Sequence, residues 1–336
     1  MRPAHPTARP ALTSLLIAAV TATTLSGCSD ADGVRSTSDN PPRTTPADHR
    51  DDHRGVLTRA QAHRVLDHYE QTNNQANKTR NPRLLATVEA GQLYERSKAE
   101  LAQIPALSAK QKKEYAEPFH FTRRSFHIPA RGNSWFAAEA TTSAGERTLM
   151  VFDKTPGRHW KRVHSLFPSR PMPSPNARRG IADTAGIHHK TGRLAPGEVT
   201  AAVEDLFTTG GKNLGRALSH TTGRAPRILT THRTRGNHVA GQALVHFTPI
   251  RPAAKKTYAL RTRSGVLAIV PLAHRQTFVV TRPELRMKPA DKHEAIYDKR
   301  PRRAVTDLFQ GEALVLLPPE GKPTILDYRY ALVDSR

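Results

Sequence analysis

The chain has 336 residues, with 52 lysines and arginines against 29 aspartates and glutamates, a formal net charge of +23 and a single cysteine. One thiol excludes an internal disulfide and a thiolate zinc site, so the fold must rest on burial. Aromatic residues make up only 6%, which is thin for the stacking platforms of single-strand nucleic-acid binders, and the positive charge points toward other polyanions.

Residues 1–27 read as a signal peptide. Arg2 and Arg9 supply a basic start, an apolar run extends from Ala11 to Leu25, and Leu25-Ser26-Gly27-Cys28 closes it. The run is shorter than the roughly 20 apolar residues a membrane span needs. Its closing tetrapeptide resembles the bacterial lipobox, in which the cysteine becomes the new N-terminus and carries acyl chains. That resemblance implies lipid attachment at Cys28 and anchoring to the outer face of the cytoplasmic membrane. Cleavage there removes two arginines and no acid, so the mature chain stays strongly basic. Residues 28–56 are rich in Ser, Thr, Pro and Asp with almost nothing apolar, and are expected to form a disordered tether.

A first α+β unit is expected over 57–168. Thr58 and Gln61 form a capping box ahead of Ala62, Val65, Leu66, Tyr69, Asn73 and Ala76 at helical spacing. Asn81-Pro82 breaks this helix. A second carries Leu84, Leu85, Val88 and Leu93 to about Ile104, with Gly91 weakening its middle, and 108–117 adds a polar third. Four strands follow at 119–128, 134–143, 147–153 and 159–167, separated by turn residues, as an antiparallel meander.

A Pro-rich linker, 169–180, separates this unit from a second over 181–336. There the pattern predicts a helix from Ala195 to Phe207, with Pro196 in its first turn and Gly210-Gly211 as its stop. Strand-like runs cover 226–234, 238–248, 256–263, 266–281, 312–317 and 324–333. The expected fold class is therefore α+β, with two units that each place helices before a curved antiparallel sheet.

The search for chemistry is mostly negative. No Gly-x-Ser-x-Gly elbow or Ser-x-x-Lys pair occurs, and Ser38-Asp39-Asn40 lies in the tether without its partner motif. Gly210-Gly211-Lys212-Asn213 lacks the first glycine and the Ser or Thr of a phosphate loop, and follows a helix rather than a strand. His188-His189 near Asp183, and His63 with His68, lack zinc-helix spacing. The expectation is no catalytic residue, no metal and no cofactor.

Asn73 on the first helix, with Trp135, Phe152 and Trp160 on the meander, are the residues that line a pocket if the unit closes into a cone. The alternative is that the aromatics are ordinary core and the asparagines a solvated helix face. Between Asp205 and Glu284 there is no acidic residue, while thirteen lysines and arginines occur. That segregation removes paired carboxylates from the region and suggests a positive face. On a strand Arg233 shares a side with Arg235, and Arg261 with Arg263. These four are the candidate anion-binding residues. The partners expected are the membrane through the N-terminal lipid, and anionic phospholipid or a wall polymer through the basic face. Export argues against nucleic acid, and protein partners are not legible.

The segments VLDHYEQTNNQAN, LLATVEAGQLYERS, WFAAEA, LMVFDK, LAPGEV, EDLFTTGGK, TYALRTRSGVLAIVPLAH and TDLFQGEAL resemble an actinobacterial lipoprotein family known as a domain of unknown function, over roughly residues 57–336. That family has no assigned activity or catalytic residues, so the resemblance carries no functional residue onto this chain. The first half also resembles, in pattern, nuclear transport factor 2-like and cystatin-like cones. The function expected is a non-enzymatic binding or interaction module of the envelope, with an extracytoplasmic enzyme lacking a recognisable motif as the alternative.

Overall fold

A computed structural model describes residues 55–157 and 159–336. The signal peptide 1–27, Cys28 and nearly all of the tether lie outside the described residues.

Helix α1 (Arg59–Thr79) starts at the expected capping box, with the Thr58 hydroxyl accepting from Gln61 N at 3.1 Å and the Gln61 side chain accepting from Thr58 N at 2.7 Å. Its buried stripe is Ala62, Leu66, Tyr69, Asn73 and Ala76. Asn81 caps α2 (Pro82–Val88) through Arg83 N and Leu84 N. The second helix expected to run to Ile104 is divided, because Glu89 and Ala90 are extended before α3 (Gly91–Gln103) begins. Gly91 has φ +63°, and a Cβ there would lie 2.9 Å from the Ala254 side chain, so the break needs glycine. A second capping box, Ser108 with Gln111, opens α4 (Ala109–Ala116).

Strands β1 (Phe121–Pro129), β2 (Trp135–Thr142), β3 (Arg147–Lys154) and β4 (Trp160–Leu166) form the expected meander. Two short strands, β5 (Ala177–Arg178) within the stretch expected as a linker and β6 (Ile181–Ala182) at the start of the expected second unit, extend this sheet, sheet one, because β6 pairs parallel to β1.

Helix α5 (Val199–Thr209) follows a turn at Pro196–Glu198 and stops at Gly210, φ +76°. The run 226–234, expected as a strand, is instead α6 (Ala225–Thr234). The β-branched Ile228, Thr230 and Thr231 suggest a strand. Pro226 in the first turn and burial of Ala225 and Ile228, three apart, outweigh that propensity, and the threonine hydroxyls bond to carbonyls four residues back. Sheet two contains β7 (Ala243–Pro249), β8 (Tyr258–Thr262), β9 (Gly265–Val280), β10 (Ala304–Leu317) and β11 (Thr324–Ser335). Its order is β11-β10-β9, with β7 and β8 both along the far edge of β9: β8 against residues 265–269, β7 against 274–280. The expected strand at 312–317 extends back to Ala304, through residues of mixed polarity whose pairing with β9 is unbroken.

The result is a four-layer α+β fold. Helix α1 covers one face of sheet one over Phe121, Phe136, Met150 and Phe152. Helices α5 and α6 cover one face of sheet two over Ala268, Val270, Ala313 and Val315. The inner faces meet through Trp135, Leu149 and Val151 against Leu260, Leu267, Ile269 and Leu314. Helix α3 lies where the sheets converge, turning Gln92 and Arg96 inward.

Candidate functional site

A cluster of titratable groups is sealed between the layers of the described residues. Glu312 on β10 is fully buried and accepts from Arg96 of α3, from His164 Nδ1 at 2.9 Å and from Ser165 N at 3.1 Å. Burial alone pushes its carboxyl up, but the Arg96 guanidinium and the His164 hydrogen bond outweigh that and hold its pKa down at about 2. Arg162 donates to the Ser165 hydroxyl and, at 2.9 Å, to Tyr69 Oη, with its guanidinium 4.9 Å from the Tyr69 ring centre. Tyr69 donates to Glu89 at 2.8 Å, and Asn73 donates to both. Burial raises Glu89 to about 7 against the opposing Ser97, Arg162 and Tyr69. Ser165 Oγ accepts from Arg162 and is hydrogen-bonded to neither ring nitrogen of His164, whose Nδ1 contacts Glu312 and whose Nε2 lies 3.5 Å from Gln92 Nε2. Every member of this network is 7% exposed or less, which suits a structural brace between layers.

Asn73 thus belongs to the brace. Trp135 packs on Tyr258 in the inter-sheet core, with ring centres 5.2 Å apart. Phe152 faces the other way, stacked on Phe136 beneath α1, and Trp160 packs edge-on to the same Phe136. The structure therefore divides these aromatics between the two faces of sheet one and does not gather them around a pocket.

The four arginines are likewise split. Arg235 follows α6 and donates to the Phe207 and Thr208 carbonyls that end α5, while Arg233 donates to Thr230. Arg261 lies on β8, 3.8 Å from Asp183, and Arg263 is in the turn before β9. Gly236 abuts Val245, which pairs with Phe278, whereas Arg261 pairs with Val266. Twelve residues of strand separate the two pairs, roughly 40 Å at 3.3 Å per residue.

A concavity of about 460 Å³ opens elsewhere, lined by Lys190, Arg193, Lys212 and Arg216 around Leu194, Leu214 and Ala217, with Glu198 as its one carboxylate. The Glu198 side chain is engaged in accepting from Ala195 N at 2.7 Å. Lys190, Arg193, Lys212 and Arg216 are all exposed. None is joined to a carboxylate among the described residues, Arg193 donating instead to the Gly321 carbonyl.

The wall that carries Lys212 and Arg216 is organised by Asp205. Its carboxylate accepts from Thr209 Oγ1 at 2.6 Å, Asn213 N at 2.9 Å and Gly215 N at 2.8 Å, winding the chain after α5 around one anion. Burial alone raises the Asp205 carboxyl, but these bonds outweigh it and hold it below its ordinary value. Gly210 and Gly211 take positive φ to permit the turn. The glycines are the helix stop the sequence predicted. What pattern reading missed is that the same stop presents cations. Lys190 and Arg193 lie outside the acid-free stretch, and the signal that finds them is the basic flank on both sides of α5. The concavity borders the corner where β10 turns into β11, since Gly192 abuts the Pro318 and Pro319 carbonyls. Arg263 is at this same end of sheet two, because Gly265 abuts Leu317 and Pro318.

The described residues contain no group of three or more His, Cys, Asp or Glu side chains able to hold a metal ion. Residues 53–336 match the family described as Domain of unknown function (DUF8094). An uncharacterized lipoprotein of Streptomyces coelicolor is 28% identical over 337 residues, which span 95% of this chain and 92% of that protein.

Proposed function

The chain belongs to the DUF8094 family, a domain of unknown function, and we propose from its own geometry that it is a lipid-anchored envelope protein whose basic concavity binds an anionic group without transforming it. The lipobox-like Cys28 and the lipoprotein name of the Streptomyces relative support the anchor. No helix among the described residues is long and apolar enough to cross a membrane.

One observation carries the binding role: Lys190, Arg193, Lys212 and Arg216 line one concavity beside Leu194 and Leu214, four cations against the single carboxylate of Glu198, which forms an ion pair with none of them among the described residues. Such a lining suits a phosphate ester attached to a neutral polyol, as in a wall polymer, with the cations on the phosphate and Leu194 and Leu214 beneath the uncharged part. Each cation near an anion contributes about 1 kcal/mol, so single contacts are weak. The tether raises the effective concentration, and a repeating polymer adds further sites. The lining's one carboxylate, Glu198, accepts from a backbone amide and has no second carboxylate beside it for paired acid–base work.

Titration of the mature chain with soluble poly(glycerol phosphate), followed by calorimetry, tests this reading. Binding should weaken as salt rises, and should fall about tenfold in Lys212→Gln/Arg216→Gln, the loss of about 1.4 kcal/mol. Unchanged affinity in that variant, or release of cleaved polymer by the wild type, would overturn it.

A further inference from the structure

The end of sheet two remote from the concavity carries a different surface. Leu244 on the edge strand β7 is 58% exposed and Val279 on β9 is 39% exposed. They are register partners, and Ala304 of β10, also exposed, stands opposite Val279. Antiparallel partners project to one side. The three therefore form an apolar row across the sheet, on the face that farther along β9 buries Leu267 and Ile269 against sheet one. At this end sheet one no longer covers it.

The row is fringed by positive charge. Arg275 is exposed on the same face, two strand positions beyond Thr277, while Arg282 and Arg303 stand just past the ends of β9 and β10. No carboxylate pairs with any of these three among the described residues. In the connection between β9 and β10 the buried Glu294 accepts from Ala290 N and pairs with Arg302, and Asp298 pairs with Arg300. The exposed acids Glu284 and Asp291 are outnumbered there by the exposed cations Arg282, Arg286, Lys288, Lys292, Lys299 and Arg303.

We propose that this end of sheet two rests on an anionic phospholipid surface, with Leu244 and Val279 entering the headgroup layer and Arg275, Arg282 and Arg303 meeting lipid phosphates. Apolar side chains with cations at the same end of the sheet suit interfacial attachment: burial holds the contact and charge draws it to the surface. Charge complementarity selects this occupant over a second copy of the chain, since pairing two such ends brings like charges together. The proposal rests on the lipid-anchored reading only for the nearness of the bilayer, and not on the concavity. The concavity is then held away from the bilayer, near the other end of β9, whose 16 residues span roughly 50 Å.

The mature chain carrying Cys28→Ser has no other thiol, so Leu244→Cys labelled with an environment-sensitive dye reports this row alone. With vesicles of phosphatidylglycerol and phosphatidylcholine the dye emission should shift to the blue. With phosphatidylcholine alone it should stay unchanged, as should a dye at Glu320→Cys on the concavity end. Sedimentation with the anionic vesicles should fall about tenfold in Leu244→Ser/Val279→Thr, and again in Arg282→Gln/Arg303→Gln. It should persist in Lys212→Gln/Arg216→Gln, which separates this surface from the concavity. Binding without a dye shift at Leu244, equal binding to both vesicle types, or a shift that depends on protein concentration without vesicles would each overturn the proposal, the last assigning the row to self-association.

Discussion

Three buried carboxylates set opposite demands on proton concentration. Glu89 has a folded pKa of about 7 against 4.5 for its ordinary value, and burial places Asp307 at about 7 against 3.8, over the opposing Ser335 hydrogen bond. For both, the folded state binds more protons between the two values, so stability falls as pH rises through that window. Glu312 has the reverse sign. Its folded value of about 2 lies below 4.5, so its contribution is full above 4.5 and is lost as pH falls toward 2. The combined contribution of these three groups is greatest at about pH 4 and falls from there toward neutrality. Glu89→Gln should therefore be more stable than the wild type at pH 8, on the order of 2 kcal/mol, and lose that advantage at pH 5, as measured by denaturant titration at each pH. Equal effects at both pH values would remove the argument. Glu312→Gln should destabilise at pH 7 by about 3–5 kcal/mol, because buried Arg96 loses the one carboxylate hydrogen-bonded to it. None of these roles was legible in the sequence. A glutamate in TVEAG and another in QGEAL look like ordinary surface acids until sheet two folds over α3.

Elements with local signals were read correctly, and those fixed by distant contacts were not. The capping box at Thr58 and the turns of the meander are encoded within four residues. The split between α2 and α3 is not, because it depends on Ala254 approaching Gly91 and on Ala90 N donating to the Arg162 carbonyl. Helix α6 escaped because β-branched residues dominate its middle. The loop after α5 shows how one residue fixes an element: Asp205 satisfies two backbone amides and two side chains. Asp205→Ala should cost about 2–3 kcal/mol and raise amide exchange over residues 209–217. If the loop presents Lys212 and Arg216, the same variant should also weaken polymer binding, although it touches no ligand. Retained exchange protection in that loop would contradict the role assigned to Asp205.

Across the whole molecule, the fold class and the basic surplus were legible, whereas the placement of the charge was not. Alternation along a strand cannot say which end of a 16-residue β9 a neighbouring helix will reach, and so Arg233 and Arg261 were grouped although the fold sets them far apart. The sandwiched sheets share one core, so Leu267→Ala, about 3 kcal/mol, should shift tryptophan fluorescence from Trp135 and far-ultraviolet circular dichroism to the same new midpoint. Separate midpoints would instead mean that the halves melt independently. The Arg96–Glu312 contact joins residues 216 positions apart, which has a consequence for biogenesis. If the chain is exported as proposed, N-terminus first, Arg96 and His164 emerge long before Glu312. Until β10 arrives, those two side chains lack the carboxylate that they share, and the inner face of sheet one waits uncovered. Completion of the early half would then wait on translocation, leaving an exposed intermediate to the proteases and chaperones outside the cytoplasm.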